Sequence, residues 1–174
     1  CISAVSAAVL VTLSVSALTS ARLPYVFETT FYYLSGDTSR ETLDRGPLKG
    51  IRTYGKLANT YGLILDDLDE IKEKCGGAVY VANLNSWYYL HLEKPYGTYS
   101  TWYVEEDSET RQLHYWELHP DKRPEYIYIP KIDRNTFSAD NAAAASKLAF
   151  VQSLCECETK ESLAGITVRV LSWK

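Results

Sequence analysis

The chain has no Met and only four Phe in 174 residues. A domain of that length can bury a full core. With those residue types scarce, the core has to be built from Leu, Ile and Val together with fourteen Tyr and four Trp. There is no surplus of basic charge: 18 Lys and Arg face 22 Asp and Glu, the net charge is -4, and the cations are scattered along the chain. That pattern gives no electrostatic footprint for DNA or RNA and excludes a nucleic-acid partner. A Gly-rich phosphate loop, a G-x-S-x-G elbow and an H-E-x-x-H pair are all missing, which removes the enzyme classes that short motifs best announce. A composition of 46% hydrophobic and 23% charged residues is ordinary for a globular protein and argues against disorder.

The chain opens on Cys1, and with no Met anywhere the reading is that of a piece of a longer protein. Its first segment, "ISAVSAAVLVTLSVSALTS" from Ile2 to Ser20, carries no charge, no Pro and no Gly. A helix needs roughly 20 mainly apolar residues to cross a bilayer. The segment meets that length, its hydroxyls can bond back to helix carbonyls, and Arg22 closes it as an interfacial charge would. Residues 1–22 are therefore expected to form one transmembrane helix. A signal peptide cut near Ala21 and a buried core helix are the competing readings; the basic n-region of a leader is missing.

Residues 23–46 read as an extended linker, aromatic and β-branched in "LPYVFETTFYYL" and turn-rich in "SGDTSRETLDRG". From residue 47 to 174 strand and helix patterns alternate, the sequence sign of a parallel sheet covered by helices. A short strand or turn is expected around Leu48 to Thr53. An amphipathic helix follows in "KLANTYGLILDDLDEIKEKCGG", with Leu57, Tyr61, Leu65, Leu68 and Ile71 on one side and Gly76 and Gly77 as its stop. "AVYVANL" reads as a buried strand, and Trp87 to Leu92 as a short helix that ends before Pro95. A helix beginning near Ser108, a strand in "EYIYIPKI", a helix capped by Asp140 or Asn141 and a hairpin joined at Ala164-Gly165 complete the pattern. The expected fold is a three-layer α/β sandwich, Rossmann-like or flavodoxin-like, with a C-terminal hairpin.

Chemistry-bearing clusters are few. His114 and His119 are five apart, which misses the spacing that sets two imidazoles on one helix face. Asp66, Asp67, Asp69 and Glu70 read as the charged outer face of an amphipathic helix. Cys155 and Cys157 alternate along a strand and share a face. One disulfide from Cys75 to either of them is geometrically open, as is a buried free thiol. No metal site and no cofactor are expected.

The strongest candidate site is "NSWYYLHLEKPYGTYSTWYVEED", Asn85 to Asp107, where Tyr and Trp crowd together. Two readings stand side by side. Tyr and Trp bury large areas while their polar tips find partners at a rim, so core packing explains the stretch. The segment also follows a strand, at the edge where ligands of open α/β sheets bind. A sugar-contact set would comprise Trp87, Tyr89, His91, Tyr96, Tyr99 and Trp102, with Asn83, Asn85 and Glu93 as orienting polar groups, because hydroxyl recognition needs fixed donors and acceptors beside an aromatic face.

"LKGIRT", "LDEIKE", "VYVANLNSWYYLHLEKPYGTYSTWY" and "YWELHPDKRPEYIYIPK", with the closing hairpin, resemble the C-terminal extracytoplasmic domain of polytopic bacterial membrane proteins similar to GT-C-class glycosyltransferases. The resemblance covers most of Leu48 to Val170, and "ELHPDKRPEYIYIPK" is its most specific part. It implies a parent protein of cell-surface polysaccharide assembly with many spans, of which Ile2 to Ser20 is the last. It also implies a bilayer and a glycan or lipid-linked sugar as partners, and an extracytoplasmic place for the α/β domain. In that class the catalytic acid lies in a loop near the N-terminus of the parent, so no catalytic residue is carried over to this chain. A secreted or anchored interaction domain without sugar chemistry is the alternative.

Overall fold

A computed structural model describes residues 39–82, 86–101, 108–131 and 140–174. The expected span at Ile2 to Ser20 and most of the linker at 23–46 lie outside those residues. Among the described residues, no helix is long and apolar enough to cross a membrane. Contacts divide the chain after Arg40, and the unit Glu41–Lys174 holds nearly all that is described here.

Strands β1 (Arg40–Thr42) and β2 (Arg52–Tyr54) form a two-stranded sheet. The turn between them is closed by Leu43 N–H on Ile51 O at 2.9 Å and Gly50 N–H on Leu43 O at 2.8 Å. Helix α1 (Gly55–Lys74) follows, with Tyr61, Ile64, Leu65, Leu68 and Ile71 buried. Lys72 and Lys74 sit in its last turn, where cations complement the helix dipole. The backbone N–H of Cys75 closes the helix on Ile71 O, after which Gly76 and Gly77 turn the chain. Strand β3 (Val79–Val81) and helix α2 (Trp87–Leu92) come next, then helix α3 (Ser108–Leu118), a single 3₁₀ turn (Pro120–Lys122) and strand β4 (Tyr126–Pro130). Helix α4 (Asn141–Leu154) is capped by Asp140, whose carboxylate accepts from Ala143 N–H at 2.9 Å. Strands β5 (Cys155–Glu161) and β6 (Gly165–Trp173) form the closing hairpin.

The main sheet has four strands in the order β3-β4-β6-β5. β3 pairs with β4 in parallel, Val79 beside Tyr126 and Val81 beside Tyr128. The other two pairings are antiparallel. The sheet is thus mixed, where alternation alone predicted a parallel one. The reason is local: α4 runs straight into β5 at Cys155, and the hairpin then lays β6 back along β4 without a crossover. β6 lies inside the sheet and β5 forms its edge, with charges in "CECETKE" that discourage pairing with a further strand. The opposite edge is covered too, because Gly97 N–H donates to Val79 O at 2.8 Å and Val79 N–H to Pro95 O at 2.9 Å.

All five residues of β4 are buried, and their side chains alternate between two clusters. Tyr126 and Tyr128 join Val79 and Val81 with Leu68 and Ile71 of α1 and Tyr88, Tyr89 and Leu92 of α2. Ile127 and Ile129 join Ile166 and Val168 of β6 with Trp116 of α3 and Ala144 and Val151 of α4. Each fully buried aliphatic side chain contributes about 1.5–3 kcal/mol. Cys75 belongs to the first cluster and Cys155 to the second, with Cys157 packed against it, so the sheet separates them and all three carry free thiols.

Candidate functional site

Helix α2 places its side chains by a short helical period, and most of them point inward. Tyr88 and Tyr89 are buried. Trp87 is half-buried and stacks on Tyr88 with ring centroids 4.1 Å apart and planes 18° apart; Tyr61 tilts against it at 4.9 Å. The Tyr89 hydroxyl accepts from Val81 N–H at 2.9 Å, so a phenol occupies a backbone position at the sheet edge. Burial raises its pKa and so holds the phenol protonated. Glu93 ends α2 in the left-handed region at φ 53°. Its carboxylate pairs with Lys72 at 2.8 Å, and that hydrogen bond lowers its pKa.

His91 faces α1, and its Nε2 lies 2.7 Å from Asp69 Oδ1. Asp69 also meets Arg45 at 3.4 Å, and Arg45 reaches Asp66 at 2.6 Å and donates to Gly62 O at 2.9 Å. Lys72 Nζ donates to His91 O at 3.1 Å as well as to Glu93. On the other side of the buried stripe of α1, Asp67 accepts from Tyr128 Oη at 2.8 Å and Ser162 Oγ at 2.6 Å. Glu70 takes Lys74 at 2.8 Å and also Lys160. The acidic cluster of α1 is therefore not a simple solvated outer face, as its sequence suggests. Asp67 and Asp69 flank the Ile64, Leu68 and Ile71 stripe, the first bonded to Tyr128 and Ser162 and the second to His91 and Arg45, while Asp66 and Glu70, four residues apart, share the outer face and pair with Arg45 and with Lys74 and Lys160. A helical wheel gives the angles of these positions but not what stands opposite them.

Of the predicted contact set, Asn83, Asn85 and Trp102 lie outside the described residues. Trp87 and Tyr89 serve the core, and His91 and Glu93 bond to α1. Tyr99 is partly buried and tilts against Tyr115 at 6.5 Å. Its hydroxyl is buried with no hydrogen-bond partner among the described residues, and burial raises its pKa. Among the described members of the set, only Tyr96 presents a large open ring: it is 49% exposed, edge-on to Tyr89 at 5.1 Å and fixed beside Val79 of β3. Leu90, 63% exposed, adds apolar surface on α2.

No pattern in the sequence announces a polar joint nearby. Gln112 and Trp116 are both buried on α3, and both donate to Gly97 O, at 3.0 and 2.8 Å. Thr98 Oγ1 completes the joint, 2.8 Å from Gln112 Oε1. A Gln with no apolar periodicity of its own reads as surface, and only the approach of the Gly97 segment buries it.

Chemically, the pairing of His91 with Asp69 orients an imidazole, yet no hydroxyl or thiol bonds that ring among the described residues. Ser162 turns instead to Asp67, and its Oγ accepts from Ala164 N–H and Gly165 N–H at 3.1 and 2.9 Å, so it builds the hairpin turn. His114 and His119 are exposed, the first beside Glu117 at 3.5 Å and the second against the Tyr115 ring. No group of His, Cys, Asp and Glu among the described residues could hold a metal ion. Comparison with protein-family models, curated proteins and solved structures finds no match for this chain.

Proposed function

We propose that this chain is a non-catalytic, extracytoplasmic domain of a bacterial membrane protein of cell-surface polysaccharide assembly, similar to GT-C-class glycosyltransferases, and that it contacts a glycan acceptor. The observation that carries the glycan contact is Tyr96. Its ring is half-exposed, backed edge-on by Tyr89 and held by backbone pairing to β3, which makes it a rigid aromatic surface of the kind that stacks on a sugar face. The apolar residues 2–20 supply the bilayer anchor in this reading. The finer fold reading belongs with it: α1 and α2 on one face of the mixed sheet and α3 and α4 on the other make a three-layer sandwich.

Titration of the folded chain with cell-wall oligosaccharides, followed by NMR, tests the contact. Tyr96→Ala abolishes the shifts if the reading holds; unchanged binding by a folded variant sinks it. A second reading, an interaction domain without sugar chemistry, draws on the internal bonding of His91 and Glu93, which leaves those two polar groups committed to α1. It predicts a cleaved leader, and extraction from membranes by detergent alone counts against it.

A further inference from the structure

Helix α4 turns Ala144 and Val151 inward, and both are buried. Lys147 stands between them at helical spacing, so its side chain starts from the same inward face, where an apolar residue is expected. Instead Lys147 Nζ donates to Ala82 O at 2.8 Å, at the carboxyl end of β3. The ladder explains why that carbonyl needs a donor. Ala82 N–H bonds to Tyr128 O, so in a parallel pair the return bond to Ala82 O falls to the N–H of residue 130, and Pro130 has none.

Capping that carbonyl takes one hydrogen of the amine and leaves the rest of the nitrogen unused. Lys131, the other lysine drawn into the interior, pairs with Glu161. Among the described residues no carboxylate pairs with Lys147. Glu109 of α3 and Asp140 at the head of α4 act on it only through space, and burial outweighs them and lowers its pKa. A lysine drawn inward without a counter-ion shifts toward the neutral amine, whose lone pair is a nucleophile. Tyr80 of β3 feels the same Glu109 carboxylate, and burial keeps its phenol protonated. Lys147 keeps part of its surface open to solvent. It also lies at the carboxyl ends of the parallel pair β3 and β4, the edge at which open α/β sheets bind ligands.

We propose that Lys147 is a covalent binding site for a small aldehyde or ketone, which it holds as an imine. The Nζ lone pair attacks the carbonyl carbon, and a proton passes from nitrogen to oxygen to give the carbinolamine. The C–O bond then breaks, and the oxygen leaves as water with both amine hydrogens. A proton from solvent converts the imine to an iminium, whose single N–H replaces the amine as donor to Ala82 O. Glu109 and Asp140 favour that charge. The site is separate from Tyr96 and does not depend on it.

Reductive trapping on the whole chain is the test: propanal with sodium cyanoborohydride at pH 7, and peptide mass spectrometry to read the rate at each lysine. Each unit by which a lysine pKa falls gives about ten times more neutral amine at that pH. Lys147 is therefore labelled about tenfold faster than the exposed Lys49 and Lys122. Between pH 6 and 9 its rate levels off while theirs still climb. Glu109→Gln removes a charge that favours the ammonium and speeds labelling of Lys147 alone; Tyr96→Ala leaves it unchanged, which separates this site from the glycan contact. A lysine that only caps Ala82 O is shielded, so labelling of Lys147 at or below the rate of Lys49 in the folded chain overturns the proposal, as does a rate that ignores Glu109→Gln.

Discussion

His91 and Asp69 face each other across the α1–α2 junction at 2.7 Å, with the imidazole side chain 14% exposed. Lys72, one turn further along α1, reaches the His91 carbonyl and Glu93. The end of α2 is thus held from α1 by three polar contacts made by Asp69 and Lys72. His91→Ala is expected to lower stability by about 1–2 kcal/mol. A double-mutant cycle with Asp69→Asn, read by urea unfolding, should show coupling of about 1 kcal/mol; additive losses would mean that the pair does not act as a unit.

Asp67 accepts two hydroxyls, and one of them, on Tyr128, belongs to a fully buried side chain. Asp67→Ala leaves that phenol buried without its partner, whereas Tyr128→Phe removes donor and need together. Leaving a buried polar group unpaired costs about 1–3 kcal/mol. Asp67→Ala is therefore expected to cost more than Tyr128→Phe, with circular dichroism at increasing denaturant as the measurement.

Gly165 begins β6 directly over the Tyr128 ring, and a Cβ added there would come within 2.6 Å of three of its atoms. The ring is walled in and has no room to yield. Gly165→Ala should cost about 2 kcal/mol or more through overpacking, and the neighbouring exposed change Leu163→Ala should cost little. Equal thermal midpoints for the two variants would contradict this packing.

Gln112→Ala removes two of the three bonds that join α3 to the Gly97 segment, leaving Trp116 Nε1 on Gly97 O and the Thr98 hydroxyl on Ser100 O. A loss of about 2 kcal/mol is expected. Hydrogen exchange at the Gly97 amide, which bonds to Val79, reports whether the edge of β3 loosens with it.

Stability should fall on the alkaline side. Burial pushes the Cys75 and Cys155 thiols from 9.0 up to about 11 and raises the phenols of Tyr80, Tyr89 and Tyr128 as well. In each case the folded value stands above the unfolded one, so the unfolded state loses its proton first. The stability contribution is fully present below about pH 9 for the thiols and about pH 10 for the phenols, and is lost as pH rises beyond those values. Urea midpoints measured from pH 7 to 11 should be flat and then decline, with buried phenol ionisation at 295 nm appearing only as the chain unfolds. An early phenolate signal from a still folded protein would contradict the burial of these rings.

Local patterns in the sequence carried far. Trp87–Leu92 is a helix in both descriptions, and "YIYIP" is a strand whose Tyr and Ile alternate between the two clusters. The Asp140 cap and the C-terminal hairpin are equally direct, since each depends on residues within a few positions of one another. The buried stripe of α1 was legible except for Ile64, which is buried, and Leu57, which is only partly so.

Partners distant in sequence were not legible. Asp69 and His91 are 22 positions apart, Asp67 and Ser162 are 95 apart, and Glu70 and Lys160 are 90 apart. The same limit governs the aromatic stretch. Residue type marked Trp87, Tyr89, Tyr96 and Tyr99 alike as able to face a sugar, and only the packing of α2 against α1 and β3 sorted them into buried and exposed rings.

The sequence by itself determined where helices and strands form, because periodicity, caps and glycine stops act over one or two turns of chain. Tertiary structure alone decided that the sheet is mixed, that the acidic residues of α1 meet Arg45, His91, Tyr128 and the closing hairpin, and that the Tyr96 ring stays half-exposed while Tyr88 and Tyr89 are buried. Those outcomes depend on which surfaces meet after the chain folds back on itself. Burial and charge pairing are properties of that meeting, and no single segment carries them.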